Sequence, residues 1–107
     1  MKISKKIVAA LNSQINKEFS SGYLYLSMSA YLEANNLLGF ANWMKLQAKE
    51  EESHGFKIYN FILERGGEIE LLGIEKPKSD WKSPLEIFKA TYEHELKITE
   101  AIYNLVE

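Results

Sequence analysis

The chain has 107 residues and a formal net charge of −2, from 13 Lys and Arg against 15 Asp and Glu. This length fits one domain spanning residues 1–107, and a hydrophobic content of 46% excludes disorder as the main state. Without a basic excess, nucleic acid is not an expected partner. The absence of cysteine excludes disulfides and thiolate metal sites. The longest uncharged run, residues 19–32, is too short to cross a membrane, and the first residues lack the apolar core of a signal peptide, so we expect a cytoplasmic protein.

Two long helices are predicted first, over residues 4–34 and 38–65. In both segments apolar residues recur at steps of three and four, which is typical of one buried helix face. Ser4 is a suitable N-cap for the first helix, and Asn35-Asn36 provides a turn between the two. Because the link is short, the two helices should form an antiparallel hairpin.

A long connection, residues 66–83, opens with a pair of glycines that should stop the second helix. Fully extended, it could reach about 59 Å. The second helix is only about 42 Å long. The connection can therefore cross the whole bundle and start a third helix, residues 84–107, parallel to the second. Ser83, Pro84 and Glu86 predict a capping box at the start of that helix.

Each predicted helix carries a glutamate in the middle of its apolar stripe, at Glu18, Glu51 and Glu95. Burying an ionised carboxylate without a partner is very costly. A mis-phased stripe or a long side chain reaching water would explain one such case, but it explains three cases in three helices poorly. The stripe of the third helix is predicted to contain Leu85, Phe88, Tyr92, Glu95, Thr99, Ile102 and Val106.

The positions of these glutamates predict a metal site. Folding the first two helices about residue 35 or 36 brings Glu18 level with Glu51 and His54. The Glu51-x-x-His54 spacing places a carboxylate and an imidazole one turn apart on one helix face. This motif is weak alone, but it is more specific inside an apolar stripe beside another glutamate. Carboxylates with one imidazole and no sulfur suit iron, manganese or zinc, and carboxylates can bridge two ions. Helical bundles that bind two iron ions use this ligand pattern.

The sequence resembles the prokaryotic non-haem ferritins through the segments LNSQINKEFSSGYLYLSMSAYLE, GFANWMKLQAKEEESHGFKIYNFILERGG and FKATYEHELKITEAIYNL. The resemblance covers nearly the whole chain and implies an all-α fold, a ferritin-like four-helix bundle. This chain would supply three of its long helices, with the long crossover between the second and the third. Ferritins also have a fourth long helix and usually a short fifth, which we do not find in these residues. A fragment, a truncated gene product and part of a longer chain are the open explanations.

The resemblance also implies a role for each candidate ligand. Glu18 and His54 would hold a first iron, and Glu51 would bridge it to a second. Glu95 would hold that second iron, which completes a di-iron centre.

Further residues receive roles from the same resemblance. Tyr25 matches a tyrosine beside the iron centre that hydrogen-bonds a ligand carboxylate and can supply an electron. Glu50 matches a ligand of an additional iron site. Glu52 stands where the related bacterioferritins carry a haem-ligating methionine, so haem is not expected. His94 is expected to point away from the stripe as a solvated or interface residue.

The function implied by the resemblance is iron storage and detoxification by a ferroxidase. Fe(II) would be oxidised by dioxygen or peroxide and deposited as an Fe(III) mineral inside a homo-oligomeric cage. One alternative is a rubrerythrin-like di-iron peroxidase. Others are a self-associating metal-binding protein without turnover, and a short chain that shares one di-iron site with a second copy. An apolar groove along the first and third helices is expected to favour self-association.

Overall fold

The computed structural model describes residues 3–106, and it contains helices α1 (Lys5–Ala34), α2 (Leu38–Glu64) and α3 (Pro84–Val106). These residues form an elongated body of 51 × 21 × 21 Å that contains no strand in the part described. The predictions for the side chains of Ile102 and Val106, and for Glu107, lie outside the described residues. Within the described residues, no helix is both long enough and apolar enough to cross a membrane.

α1 and α2 end in the same way, with a residue in the left-handed backbone region. Asn36 has φ 61° and Gly66 has φ 74°. In each case the next backbone N–H donates to the carbonyl five residues earlier, at Leu32 and Ile62, over 2.9 Å. This arrangement satisfies carbonyls that the helix end leaves without an intrahelical partner. The turn predicted at Asn35-Asn36 therefore forms, and it makes α1 and α2 an antiparallel hairpin.

α1 and α3 begin with serine caps. Ser4 Oγ accepts the backbone N–H three residues later at 3.2 Å, and Ser83 Oγ accepts that of Glu86 at 3.2 Å. The Glu86 carboxylate does not return to Ser83, as a complete capping box requires. It accepts from Lys78 Nζ at 2.7 Å and from the Lys82 backbone N–H at 3.3 Å. Of the predicted capping box only the bond to the serine forms, and the Glu86 carboxylate instead binds the end of the crossover.

Two glycines allow α1 and α2 to lie close together. A Cβ at Gly22 would stand 3.1 Å from the Ala48 backbone oxygen. A Cβ at Gly55 would collide with the ring of Phe19. Close helix approach at Gly22 and room for a neighbouring ring at Gly55 therefore account for two residues that are otherwise unfavourable in helices.

The crossover runs along α1 and is held there by hydrogen bonds to its backbone. Side chains of α1 donate to crossover carbonyls in the pairs Asn12 with Glu68 at 2.9 Å, Asn16 with Gly73 at 2.9 Å and Ser27 with Lys78 at 2.6 Å. The Glu70 backbone N–H also donates to the Asn12 side chain at 2.9 Å. The crossover thus runs parallel to α1, and α3 starts near the C-terminal end of α1. α3 is therefore antiparallel to α1 and parallel to α2, as predicted.

The predicted stripe of α3 is wrong in phase. The residues buried against α1 are Ile87, Thr91 and Ile98, whereas Leu85 and Tyr92 are 62% and 69% exposed. The reason is that α3 has two apolar faces, of which one packs on α1 and the other lies open. A hydrophobic period alone does not say which of two such faces is the buried one.

An open apolar groove was predicted along the first and third helices, but in the described residues α1 packs against both α2 and α3. The open groove lies instead between α2 and α3, near their N-terminal ends, where Leu38, Phe40, Trp43 and Phe88 line it. The Phe40 and Phe88 rings meet edge to face across it, with centroids 5.1 Å apart.

The main apolar core lies between the α1–α2 turn and the middle of the bundle. Its buried members are Tyr25, Met28, Leu32, Ala41, Met44, Ala48 and Ile87. All three helices contribute to it, and it borders the level of Glu18 and Glu51. The site described below is therefore held by a packed core on one side.

Replacing Gly55 by Ala should lower the free energy of unfolding by about 1–3 kcal/mol, because the new methyl group must displace the Phe19 ring. The matched control is Gly39→Ala, in the same helix, where nothing lies within 4 Å of the added atom. That change should raise stability by up to about 1 kcal/mol, since Ala is the better helix former. Urea unfolding of both variants measures the difference, and a Gly55→Ala variant as stable as Gly39→Ala would contradict the packing described.

Candidate metal centre

α1 and α2 bring Glu18, Glu51 and His54 together in the middle of the hairpin. One ligand atom from each of the three residues lies within 4.8 Å of the other two. Oε2 of Glu18 and Oε2 of Glu51 each lie 3.7 Å from Nδ1 of His54. The turn sets this register, because it places Glu18 opposite the turn of α2 that carries the other two residues. The structure thus brings together the three residues whose positions in the first two helices predicted a metal site.

Both carboxylates are almost removed from water. Glu18 is 2% exposed and Glu51 is 5% exposed. The Oε2 atom of each has no hydrogen-bond partner in the described structure. An unsatisfied buried oxygen costs about 1–3 kcal/mol, and more when it is charged. Two such oxygens converging on one imidazole nitrogen form a set of donors that a divalent cation would satisfy.

The electrostatic environment of Glu51 opposes a bare negative charge. Burial raises the pKa of Glu51 well above its ordinary value, and the neighbouring carboxyl groups of Glu18 and then Glu95 raise the pKa further. Without a cation, the site therefore favours a proton on Glu51. A bound divalent ion would take the place of that proton, because metal binding to carboxylates competes with protonation.

α3 contributes Glu95, which is connected to the other side chains of the site by a hydrogen bond from Tyr25. Tyr25 is completely buried, and its hydroxyl donates to Oε1 of Glu95. Burial raises the pKa of Tyr25, and the hydrogen bond to Glu95 raises it further, so the phenol keeps its proton. Within the described residues, the closest three-ligand group does not include Glu95. Glu95 therefore borders the site, close enough for its carboxyl group to raise the pKa of Glu51.

Glu50 lies at the outer edge of the site. Its side chain is 59% exposed, and its Oε1 lies 3.9 Å from Nε2 of His54. The imidazole thus has the buried carboxylates on its Nδ1 side and an exposed carboxylate on its Nε2 side. Glu52, two residues after Glu50 on the same helix, is exposed and is not part of this group.

His94 was expected to point away from the stripe, and that expectation is wrong. The Ser21 hydroxyl donates its single hydrogen to the Lys17 carbonyl at 2.7 Å, so the His94 Nε2–H donates to Ser21 Oγ at 2.6 Å. The imidazole meets the Tyr25 ring edge to face, with centroids 5.8 Å apart. Burial lowers the pKa of His94, and the Glu95 carboxylate partly opposes this effect. The missed signal is spacing, because His94 falls three residues after Thr91, on the face that α3 presents to α1.

Gln14 was also missed by the sequence analysis. Its side chain is 2% exposed, and its Nε2–H donates to Oε1 of Glu18 at 3.1 Å. The available signal was again a helical spacing, because Gln14 stands four residues before Glu18 and so lies on the same face.

Together, the fold and the site define a class of protein: a helical bundle in which two buried carboxylates and one half-exposed imidazole form a site suited to metal ions. Residues 8–107 match the Ferritin family, described as a ferritin-like domain, and the chain belongs to this family.

Bacterial non-heme ferritins are similar to the chain. It is 43% identical to the bacterial non-heme ferritin of Staphylococcus aureus strain USA300, over 98% of the chain and 63% of the relative. It is 40% identical to the bacterial non-heme ferritin of Bacteroides fragilis strain 638R, over 98% of the chain and 66% of the relative. The chain thus spans about two thirds or slightly less of the length of these relatives.

Solved structures agree with the fold described. An open pore ferritin from the hyperthermophilic archaeon Archaeoglobus fulgidus superimposes with a TM-score of 0.95 at 50% identity, covering 97% of this chain and 63% of that one. A humanized archaeal ferritin superimposes with a TM-score of 0.96 at 51% identity, covering 98% of this chain and 64% of that one. The fold is therefore all-α and ferritin-like. This chain supplies three helices of the bundle, with the long crossover between the second and the third.

The raised pKa of Glu51 predicts how the stability of the metal-free protein depends on pH. The folded protein holds a proton on Glu51 that the unfolded chain releases above its ordinary pKa of 4.5. The stabilising contribution is therefore full below that value and is lost as pH rises towards the raised pKa of the folded state. The loss is up to about 1.4 kcal/mol per pH unit for one proton.

Urea unfolding between about pH 5 and pH 8, in the presence of a chelator, measures this slope. A Glu51→Gln variant should show a flatter dependence, because it has no proton to release. The matched change at exposed Glu52, Glu52→Gln, should leave the slope as in the unaltered chain. Equal slopes for the two variants would show that Glu51 does not titrate as described.

Proposed function

We propose that this chain binds Fe(II) as a substrate, oxidises it and contributes to iron storage and detoxification. The observation that carries the proposal is the pair of buried, unpartnered Oε2 atoms of Glu18 and Glu51, both 3.7 Å from one imidazole nitrogen. Membership of the ferritin-like family and the likeness to bacterial non-heme ferritins support it. We also propose that residues 1–107 belong to a single ferritin-like domain, of which they supply three helices.

We propose a distinct role for each residue of the site. Glu18 and His54 hold one Fe(II), with Glu51 placed between that ion and a second. Glu95 holds the second ion, because it approaches Glu51 from α3. Carboxylates suit both oxidation states of iron, and they hold the higher charge of Fe(III) more strongly.

Tyr25 and Glu50 serve the edges of this centre. Tyr25 orients Glu95 through its hydroxyl and keeps a proton and an electron close to the iron. Glu50, on the exposed side of His54, supplies an oxygen ligand to an additional iron at the mouth of the site. Its exposure suits an ion that is entering or leaving.

The proposed reaction balances with two iron ions. Each Fe(II) loses one electron, and dioxygen takes up the two electrons and two protons to give hydrogen peroxide. With hydrogen peroxide as the oxidant, the same two electrons and two protons give two molecules of water. The protein positions the ions and compensates their charge, while the redox chemistry belongs to iron. The Fe(III) produced then moves on to a mineral.

We further propose a cytoplasmic location, and we propose that neither haem nor nucleic acid binds the protein. A net charge of −2 disfavours phosphate backbones as partners. The exposed Glu52 offers no sulfur ligand at the position that would suit a haem. Iron is therefore the metal that we assign to the protein.

Metal binding without turnover is the second candidate. Two observations favour it. Only three ligand atoms converge within the described residues, and Oε1 of Glu95 already accepts a hydrogen bond from Tyr25. Such a site would hold one ion firmly and a second one poorly. Oxidation of Fe(II) under air separates this candidate from the first, because a one-ion site would bind iron without the coupled two-electron reaction.

Replacing Glu51 by Ala should slow Fe(II) oxidation at least about tenfold, because the residue between the two proposed iron positions is lost. Glu52→Ala is the matched control, since it removes one carboxylate from the same helical turn at an exposed position. Its rate should stay close to that of the unaltered chain. Stopped-flow absorbance of Fe(III) formation under air measures both variants, and equal rates would remove Glu51 from the site.

We propose that the chain self-associates, as a step towards a homo-oligomeric cage. The apolar groove between α2 and α3 exposes large side chains, with Leu38 61%, Phe40 52% and Trp43 45% exposed. Tyr92 and Leu96 of α3 are also 69% and 48% exposed. An exposed apolar groove of this kind usually marks an interaction site.

Sedimentation velocity should therefore show species heavier than the 12.3 kDa monomer at micromolar concentration. Replacing Phe40 by Ser should shift the distribution towards the monomer, because it removes an aromatic ring from the groove. Ser79→Ala, at an exposed position of the crossover, is the control and should leave the distribution unchanged. A compact monomer at every concentration would contradict self-association.

A further inference from the structure

Gln14 stands one turn before Glu18 on α1 and faces the same side of the helix. It is 2% exposed, and its Nε2–H donates to Oε1 of Glu18 at 3.1 Å. A buried amide is costly unless its polar atoms are hydrogen-bonded. Leucine or methionine would fill the same space without that cost. The carboxylate of Glu18 is therefore the reason for a buried amide at this position.

The hydrogen bond distinguishes the two oxygens of Glu18. Oε1 is engaged by Gln14, whereas Oε2 has no partner and lies 3.7 Å from Nδ1 of His54. A carboxylate held by one oxygen cannot rotate freely about its terminal bond, so its second oxygen keeps a fixed direction. That direction is the one in which the Oε2 atom of Glu51 also converges.

We propose that Gln14 is a positioning residue for the metal site: it holds Glu18 by Oε1 so that Oε2 is presented to the ion. The inference rests on the proposed metal-binding function of Glu18. Residues that hydrogen-bond a ligand from outside fix its orientation, and their loss typically costs about 10–100-fold in metal affinity. A neutral amide suits the task, because it orients the carboxylate without adding a positive charge that would compete with the cation.

The chain contains an internal comparison for this assignment. Gln47 stands four residues before Glu51 on α2, with the same spacing that separates Gln14 from Glu18. Gln47 is only partly buried, and in the described structure no hydrogen bond joins it to Glu51. The spacing alone therefore does not make a positioning residue. Burial together with the hydrogen bond distinguishes Gln14.

The test is a titration of the 107-residue chain with Co(II) alone. The titration is carried out without oxygen, so that the spectra report binding and not oxidation. The visible bands of Co(II) report its coordination number and geometry. Gln14→Met removes the donor and keeps an unbranched side chain of similar length. It should raise the dissociation constant about 10–100-fold and change the intensity or position of the bands. Gln47→Met should leave both quantities unchanged.

A second variant guards against loss of folding. Gln14→Asn keeps a buried amide but shortens the side chain by one methylene group, so the amide no longer reaches Glu18. Like Gln14→Met, it should raise the dissociation constant for Co(II), while circular dichroism should show that the helices remain intact. Equal affinity and equal spectra for the unaltered chain and both Gln14 variants would overturn the inference and leave the metal site standing. A change in metal-free stability with unaltered Co(II) spectra would also overturn it, since Gln14 would then be only a structural residue. Failure of the unaltered chain to bind Co(II) would overturn the proposed metal centre and this inference together.

Discussion

Two buried carboxylate oxygens with no hydrogen-bond partner, on Glu18 and Glu51, are the constraint on which the rest of the structure depends. They face the same imidazole from two antiparallel helices, so each depends on the register of the other. A slip of one residue along either helix would turn a carboxylate towards the apolar core, where nothing could compensate its charge. The left-handed turn at Asn36 and the close approach at Gly22 therefore serve the site as much as the fold.

α1 is the element through which the other parts are connected. It supplies Glu18 to the group with α2, and it supplies Tyr25 to the contact with Glu95 on α3. It also holds His94 through Ser21. The side chains that bridge α1 and α3 form a chain of neighbouring contacts, from Ser21 through His94 and Tyr25 to Glu95. α1 therefore supplies one ligand of the site itself and also positions the side chains of α3 that border the site.

The sequence was most informative where local signals and helical period agreed. The helix limits were predicted from the serine caps, the Asn35-Asn36 turn and the glycine pair after Arg65. Each of these signals has a short-range physical cause. The all-α, ferritin-like fold was predicted correctly. The meeting of Glu18, Glu51 and His54 followed from simple counting along a hairpin, since the rise per residue is the same in both helices.

The sequence was least informative where a helix has two apolar faces. In α3, Leu85 and Tyr92 fit a helical apolar period as Ile87 and Ile98 do, and only tertiary packing decides which pair is buried. The same ambiguity misplaced His94 and the open groove. Gln14 was missed for another reason: its spacing from Glu18 is the same as that of Gln47 from Glu51, and only the burial and the hydrogen bond in the structure distinguish the two.

The hydrogen bonds between α1 and the crossover have a consequence for how the chain tolerates change. Asn12, Asn16 and Ser27 all donate to backbone carbonyls, so they bind the connection without regard to its side chains. From Asn12 to Ser27 the helix rises about 22 Å. The Glu70 backbone N–H also donates to Asn12, and the facing stretch from Glu70 to Lys78 spans about 26 Å when extended, which leaves little slack. The length of the connection is thus fixed more strictly than most of its side chains, of which Lys78 is an exception because it binds Glu86. An added or deleted residue would shift α3, and Glu95 with it, relative to the metal site.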